Sequence, residues 1–299
     1  MFEKSKLSSF MKMEKTTHER ILMFDFHNTA HRTVHIAQHN NPEDKEFIYW
    51  KYLMINSFLT QIRKFEPTRV IFTIDEKNNW RKDIYPEYKA TRKIVKEKSA
   101  IDFEKFYAMM DSFIEELKTV FTNCYFIQAT KCEGDDVIAT LVERFKGSET
   151  ILISTDKDFI QLMKFKKFKL YNPLKKQFVV SINPKRDLEI KIIMGDKSDN
   201  IPAIKPKTGP KTAEKLLNEG LEELLNSSED AKNNYERNRR LIDMTMIPKS
   251  ITKYISEIYD RYELTPFNTR KVWQFMLTNR IRKIADSLNQ FTPHLKNLN

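Results

Sequence analysis

The sequence predicts an α/β fold with a mostly parallel sheet, followed by an all-helical C-terminal part. Apolar runs at 21–24, 70–74 and 151–153 show no polar alternation and each leads into an aspartate. That is the pattern of strands buried on both faces of a parallel sheet. Amphipathic helical stretches separate these runs, and from about Pro184 onward only helical patterns occur. The expected organisation is a polar, lysine-rich extension over 1–19, an α/β unit over 20–183 and a helical unit over 184–299.

Composition narrows the function classes. A chain of 299 residues, 40% hydrophobic, can bury a large core. No apolar run approaches the roughly 20 residues of a membrane span. Met1 to Arg20 lacks the apolar centre of a signal peptide. Cys124 and Cys132 make no disulfide framework, so a reducing cytoplasm is expected. The net charge of +11 points to a polyanionic partner, generic solubility charge being the plainer alternative.

Taken in order, Ile21 to Phe26 reads as a central strand delivering Asp25 at its end. Open α/β sheets bind ligands at the carboxyl ends of their strands, so Asp25 is a candidate site residue; a cap on the next helix is the alternative. His27, His31, His35 and His39 then recur every four residues. Such spacing suits zinc, but the polar neighbours Arg32, Thr33, Gln38 and Asn40 favour a solvated face. Residues 45–64 read as an amphipathic helix, and Arg69 to Asp75 repeats the strand-then-aspartate pattern.

Trp80 to Lys93 interleaves aromatic rings with cations, as surfaces do that meet phosphates and stack on bases. A solvated basic loop is the alternative. Residues 93–106 continue basic and helical, a segment able to cover a substrate, and 107–121 form another amphipathic helix before a short strand at 124–127.

Glu133, Asp135 and Asp136 then fall within four positions and open a helix with Val137, Ile138, Leu141, Val142 and Phe145 on its apolar face. One acid there would suit the helix dipole. Three beside an apolar face repel one another, and such groups take up protons or share a cation. The third strand leads to Asp156 and Asp158, and the stretch 191–202 adds Asp196 and Asp199. The Gly/Pro turn at 205–210 opens a helix and offers backbone N–H groups and lysines to a phosphate. Of five glycines, Gly134, Gly195 and Gly209 lie in these motifs, which suggests close backbone approach. Residues 229–240 read as an exposed charged face, and 241–291 as packed helices with Trp273, Phe275 and Leu277 inside.

The succession strand-Asp25, strand-Asp75, Tyr88-Lys89 to Arg92, Glu133-Gly134-Asp135-Asp136, Thr155-Asp156-Lys157-Asp158 and Gly195-Asp196 to Pro202 resembles the 5′ nuclease, or flap endonuclease, family. The run from Tyr235 to Asp243 looks most like its T-even phage ribonuclease H branch. The resemblance implies a PIN-like nuclease domain with a helical arch at about 81–106, and a C-terminal helical hairpin domain that grips duplex. It implies two Mg²⁺ ions, with Mn²⁺ able to substitute. Asp25, Asp75, Asp135 and Asp156 would hold the first, with Glu133 and Asp136 near it; Asp158, Asp196 and Asp199 would hold or orient the second. Arg81, Lys89 and Arg92 would meet phosphates near the scissile bond. Tyr88, Lys93, Lys205, Lys207, Lys211 and Thr212 would join Lys89 and Arg92 in nucleic-acid binding.

The implied substrates are RNA·DNA hybrid and nicked, flap and forked duplex DNA, with a single-stranded-DNA-binding protein as helper and a monomeric enzyme. The hairpin departs from the family's usual Gly-Val-x-Gly-Ile-Gly-Pro-Lys-Thr-Ala by two missing glycines and one extra residue, which bears on a monovalent-ion site there.

An acid cluster without histidine or cysteine suits hard cations. Two such ions about 4 Å apart activate water and stabilise a leaving oxygen. A DNA-structure-binding module without catalysis, and a PIN-type ribonuclease acting on single-stranded RNA, are the competing readings.

Overall fold

The computed structural model describes residues 19–298. The expected N-terminal extension therefore lies outside the described residues, apart from Glu19.

Six strands form one sheet: β1 (Arg20–Asp25), β2 (Arg69–Ile74), β3 (Tyr125–Gln128), β4 (Glu149–Ile153), β5 (Phe168–Asn172) and β6 (Gln177–Phe178). Their order is β3-β2-β1-β4-β5-β6, with every pairing parallel except β5 with β6. Adjacent residues of a strand point to opposite faces. Leu22, Phe24, Val70 and Phe72 enter one core, while Ile21, Met23, Ile71 and Leu152 enter the other. Both faces are covered, which is why these strands read as unbroken apolar runs.

The helices of the first half are α1 (Phe26–Asn40), α2 (Ile48–Phe65), α3 (Arg81–Ile84), α4 (Thr91–Glu97), α5 (Phe103–Val120) and α6 (Gly134–Arg144). Those of the second half are α7 (Pro184–Met194), α8 (Pro210–Asn218), α9 (Leu221–Ser227), α10 (Glu229–Ile242), α11 (Lys249–Asp260), α12 (Thr269–Thr278), α13 (Arg282–Asp286) and α14 (Thr292–Lys296). None is long and apolar enough to cross a membrane. α5 begins at Phe103, four residues before the expected start, because Asp102 caps it by accepting the Lys105 N–H at 3.0 Å. Phe106 is fully buried, so it belongs to the core and not to an arch. The stretch that stands clear of the core is 91–100, between the buried Tyr88 and Ile101.

The boundary near 183 marks where strands end, but not where the first core ends. α7 to α10 and the turns between them build two small cores, one around Ile192, Ile201 and Leu241 that Tyr88 joins, and one around Ile193, Ile204 and Ala213. α11 returns to the sheet face covered by α6. Val272, Phe275, Met276, Leu288 and Leu295 close the opposite face with α2 and α5. Trp273, expected inside, is 45% exposed, because Val272 and Met276 occupy the inward positions one turn apart.

Register sets up the site. Asp25 lies opposite Thr73, and Phe24 opposite Ile153, so β1, β2 and β4 end together. β2 lies on one side of β1 and β4 on the other. The strand order reverses at β1, where such sheets open a crevice.

Candidate active site

Four aspartates meet at that edge. Asp25, at the end of β1, is 6% exposed; its Oδ2 accepts the Ser154 hydroxyl at 2.8 Å and its Oδ1 the Asn28 N–H at 3.2 Å. The capping reading and the site reading of Asp25 therefore describe one residue. Asp75, just past β2, accepts the Gly134 N–H at 2.7 Å, and its own N–H donates to His27 Nδ1 at 3.1 Å. Glycine at 134 lets Asp75 come this close, because a Cβ there would sit 2.8 Å from Asp75 Oδ1 and displace that carboxylate. Asp135 lies in the first turn of α6. Asp156 follows β4, its N–H donating to Ser154 Oγ at 3.0 Å and its Oδ1 accepting the Asp158 N–H at 2.8 Å.

Burial and mutual repulsion mark these groups. Burial, with the charges of Asp75 and Asp156, pushes Asp25 up to about 7. Burial, with Asp25, Asp156 and Glu133, pushes Asp135 well above the carboxylate range. Burial also acts to raise Asp75, but His27, Lys89 and the Gly134 N–H outweigh it and hold Asp75 below its ordinary value.

A second group of acids lies toward the helical part. Lys191, on α7, bridges Asp158 and Asp196. Asp196 caps the turn Lys197–Asp199 through the Ser198 N–H at 2.8 Å. Burial works to raise Asp196, yet its bonds to Lys191 and Ser198 bring it down to about 2. Burial and Asp156 push Asp158 up to about 6 against the pull of Lys191. Asp199 Oδ1 takes Arg92 Nη2 at 2.6 Å, and Glu133 Oε1 takes Lys89 Nζ at 2.5 Å. The Lys89 N–H donates to the Asp199 carbonyl at 2.8 Å, and Asn200 Nδ2 to the Glu87 carbonyl at 2.8 Å, so the base of the exposed segment is tied to this turn.

Three expectations are corrected by these positions. Asp136 does not face the other acids: it is fully buried and forks onto Arg81 at 2.9 and 3.0 Å. It also accepts the Trp80 indole N–H at 3.2 Å and the Glu133 N–H at 3.0 Å. Arg81 is 4% exposed and donates to Glu133 and to the Leu241 carbonyl as well, so no face of it is open to a phosphate. Tyr88 is 3% exposed, its hydroxyl bonded to Glu133 and Asp199, and it offers no ring for a base.

The remaining cations stand in the open. Lys93 reaches no partner closer than Glu97 at 4.0 Å, Lys207 and Lys211 are exposed, and Lys205 and Thr212 are half-buried on the hairpin. α4 buries no side chain. A cavity of about 670 Å³ includes Lys89, Arg92, Lys93, Lys96 and Glu133 in its wall, and a second of about 980 Å³ includes His27, His31, Asp75 and Tyr107. Gly195, at φ +67°, packs where a Cβ would collide with the Ile201 carbonyl, whereas Gly209 faces open space and owes nothing to close approach.

Comparison with known proteins agrees with this arrangement. Residues 20–191 match the model of the 5′-3′ exonuclease N-terminal, resolvase-like domain, and 183–291 match that of the T4 RNase H C-terminal domain. The chain belongs to the 5′-3′ exonuclease family. It is similar to the ribonuclease H of Enterobacteria phage T4, 29% identical over 309 residues that cover 94% of this chain and 99% of that protein. It is also similar to the 5′-3′ exonuclease of Buchnera aphidicola, 28% identical over 69% of this chain and 72% of that one. Its fold is that of the T5 5′-exonuclease solved with bound divalent zinc, with a TM-score of 0.62 at 19% identity over 82% of this chain and all of that one.

For a family implying divalent ions, the donors decide the fit. Among the described residues no group of three or more His, Cys, Asp or Glu is already gathered to hold an ion. Asp25, Asp75, Asp135 and Asp156 nonetheless fit one: they are oxygen donors, crowded and partly buried, and two of them are driven toward protonation by burial and by neighbours of like charge. Three site residues were missed in the sequence. Ser154 joins Asp25 to the Asp156 backbone, and nothing distinguishes it from other serines. His27 holds Asp75, and only its place two residues past Asp25 hinted at it. Asn28 accepts the Thr155 N–H and hydroxyl at 3.1 and 3.0 Å and ties the loop after β4 to α1. The histidine stripe is solvated only at His35 and His39. His31 packs on Phe103, Phe106 and Tyr107, and burial lowers it to about 4.

Proposed function

We propose that this chain is a metal-dependent 5′→3′ exonuclease and flap endonuclease that removes RNA primers and adjacent DNA from lagging-strand fragments during phage DNA replication. Its substrates are RNA·DNA hybrid and nicked, flap or forked duplex. It works as a monomer in the cytoplasm of the infected bacterium, with a single-stranded-DNA-binding protein as helper. The observation that carries this reading is the meeting of Asp25, Asp75, Asp135 and Asp156 at one sheet edge, beneath a segment that presents Lys89 and Arg92.

Two Mg²⁺ ions are the proposed cofactors, the first held by those four aspartates and the second by Asp158, Asp196 and Asp199. When bound, such ions supply an activated water and charge stabilisation at the leaving oxygen. The protein's own groups do the rest. Lys89 and Arg92 orient the scissile phosphate and offset its charge in the transition state. Ser154 and the Gly134 N–H hold the carboxylates of Asp25 and Asp75 in place, and His27 accepts the Asp75 backbone N–H. Lys93, Lys205, Lys207, Lys211 and Thr212 contact the backbone away from the reacting bond.

A 5′-labelled RNA primer annealed to DNA tests the proposal, with Mg²⁺ and then with EDTA. Metal-dependent release of short 5′ products is expected, and slower cutting of the free RNA strand. Equal cutting of free RNA supports the single-strand ribonuclease reading, and no metal-dependent loss of label supports the binding-module reading.

A further inference from the structure

The acids of the site divide by their partners. Lys191 Nζ contacts Asp158 and lies 2.8 Å from Asp196 Oδ2. Asp199 has Arg92 at 2.6 Å and Lys89 at 4.0 Å. Glu133 has Lys89 and Arg81, and Asp136 has Arg81. Among the described residues no lysine or arginine pairs with Asp25, Asp75, Asp135 or Asp156; His27 lies 3.9 Å from Asp75, and Lys89 acts on Asp75 and Asp135 from beyond contact. The protein thus places a cation in direct contact with the second group, while the first feels Lys89 only from its pairing with Glu133.

We propose that Lys191 is a tethered counter-ion occupying the second acid group of the free protein, so that a second divalent ion binds only by displacing it. This rests on the metal-dependent reading above and deepens it. Two features of the fold support it. Lys191 is anchored where its helix cannot follow the side chain, because the next two residues, Ile192 and Ile193, are buried in two different small cores. The ammonium therefore leaves by swinging, not by moving α7. It also has somewhere to go: a cavity of about 700 Å³ on the hairpin side, whose wall carries Lys157, Lys191 and Lys197 together with Asp158, Asp187 and Asp196. A duplex phosphate entering that cavity beside Lys157 and Lys197 would attract the ammonium, freeing Asp158 and Asp196 for the ion. Substrate and second ion then favour one another, since coupling between two binding events is reciprocal.

The test counts ions without turnover. Mn²⁺ is titrated into the free protein, with bound ion followed by electron paramagnetic resonance and calorimetry. The wild type is expected to bind one ion tightly and a second weakly. Lys191→Met is expected to tighten the second at least tenfold and leave the first unchanged, while Lys191→Arg, which keeps the charge, behaves as wild type. Asp135→Asn is expected to weaken the first ion alone. A second-ion affinity that is equal or weaker in Lys191→Met overturns the proposal. Absence of any tight ion in the wild type overturns the metal-centre reading instead. If Lys191→Met is poorly folded without metal, Lys191→Gln is followed by its melting curve. A larger Mn²⁺-induced rise in Tm than in wild type supports displacement, and an equal or smaller rise refutes it.

Discussion

Replacing Arg81 with methionine separates the buried clamp seen in the structure from the phosphate contact that its motif suggests. Methionine keeps much of the aliphatic volume and removes every polar contact of the guanidinium. Those contacts are two bonds to Asp136 at 2.9 and 3.0 Å, one to Glu133 at 3.3 Å and one to the Leu241 carbonyl at 2.9 Å. Asp136 is fully buried, so its charge is left with only the Trp80 and Glu133 N–H groups. Removing one partner of a buried pair costs about 3–5 kcal/mol, a large part of the roughly 5–15 kcal/mol that holds a domain folded. At a urea dependence of about 1–3 kcal/mol per molar, the midpoint should fall by ~1 M or more. Asp136→Asn in the same background should be less costly than the sum of the single changes by about 1–3 kcal/mol, as expected for groups in contact. The assay is urea unfolding followed by circular dichroism, with duplex binding by fluorescence anisotropy across salt concentrations. An unchanged midpoint, with a salt slope reduced by about one, would mean that Arg81 binds phosphate and that the clamp reasoning is wrong.

Three further outcomes are expected. In Gly134→Ala, the added Cβ, 2.8 Å from Asp75 Oδ1, pushes that carboxylate aside without unfolding the chain; primer cleavage should drop about 100-fold, and normal turnover would show that Asp75 is not held where it matters. Asp135→Asn should abolish most cleavage while raising the Tm measured in EDTA near pH 8, because it removes a charge that burial and Asp25 already disfavour; a lowered Tm would contradict that environment. His31 is lowered by burial from 6.5 to about 4, so between those values the unfolded chain holds the extra proton and stability is lost as pH falls. That loss should reach up to ~3 kcal/mol, and His31→Phe should flatten it. An unchanged acid slope in the variant would place the proton elsewhere.

Much of this was readable from one chain, for reasons that differ by element. Strands buried on both faces announce themselves as apolar runs, so β1, β2 and β4 were plain, and their parallel register leaves Asp25, Asp75 and Asp156 little choice but to meet. The acids of 133–136 were read as one cluster because their spacing is tight, yet a helix turn sends neighbours in different directions. Asp135 faces the site, while Asp136 turns to Trp80 and Arg81 and caps its own helix. The basic stretch from Trp80 was read as one surface, but Arg81 and Tyr88 point inward, whereas Lys82, Glu87 and most of 91–100 are exposed. Charge and aromatic content do not say which way a side chain turns.

What the sequence determined by itself was the layout along the chain: which segments are strands and which acids end them. Those properties are local, set by backbone periodicity and side-chain chemistry. Only the tertiary structure decided which acid has which partner. Lys191 lies 33 residues from Asp158 in sequence, and Arg81 lies 55 from Asp136, yet each pair is in contact. Such pairings arise when separate helices are brought together by their apolar faces, and no pattern along the chain records the distance that results.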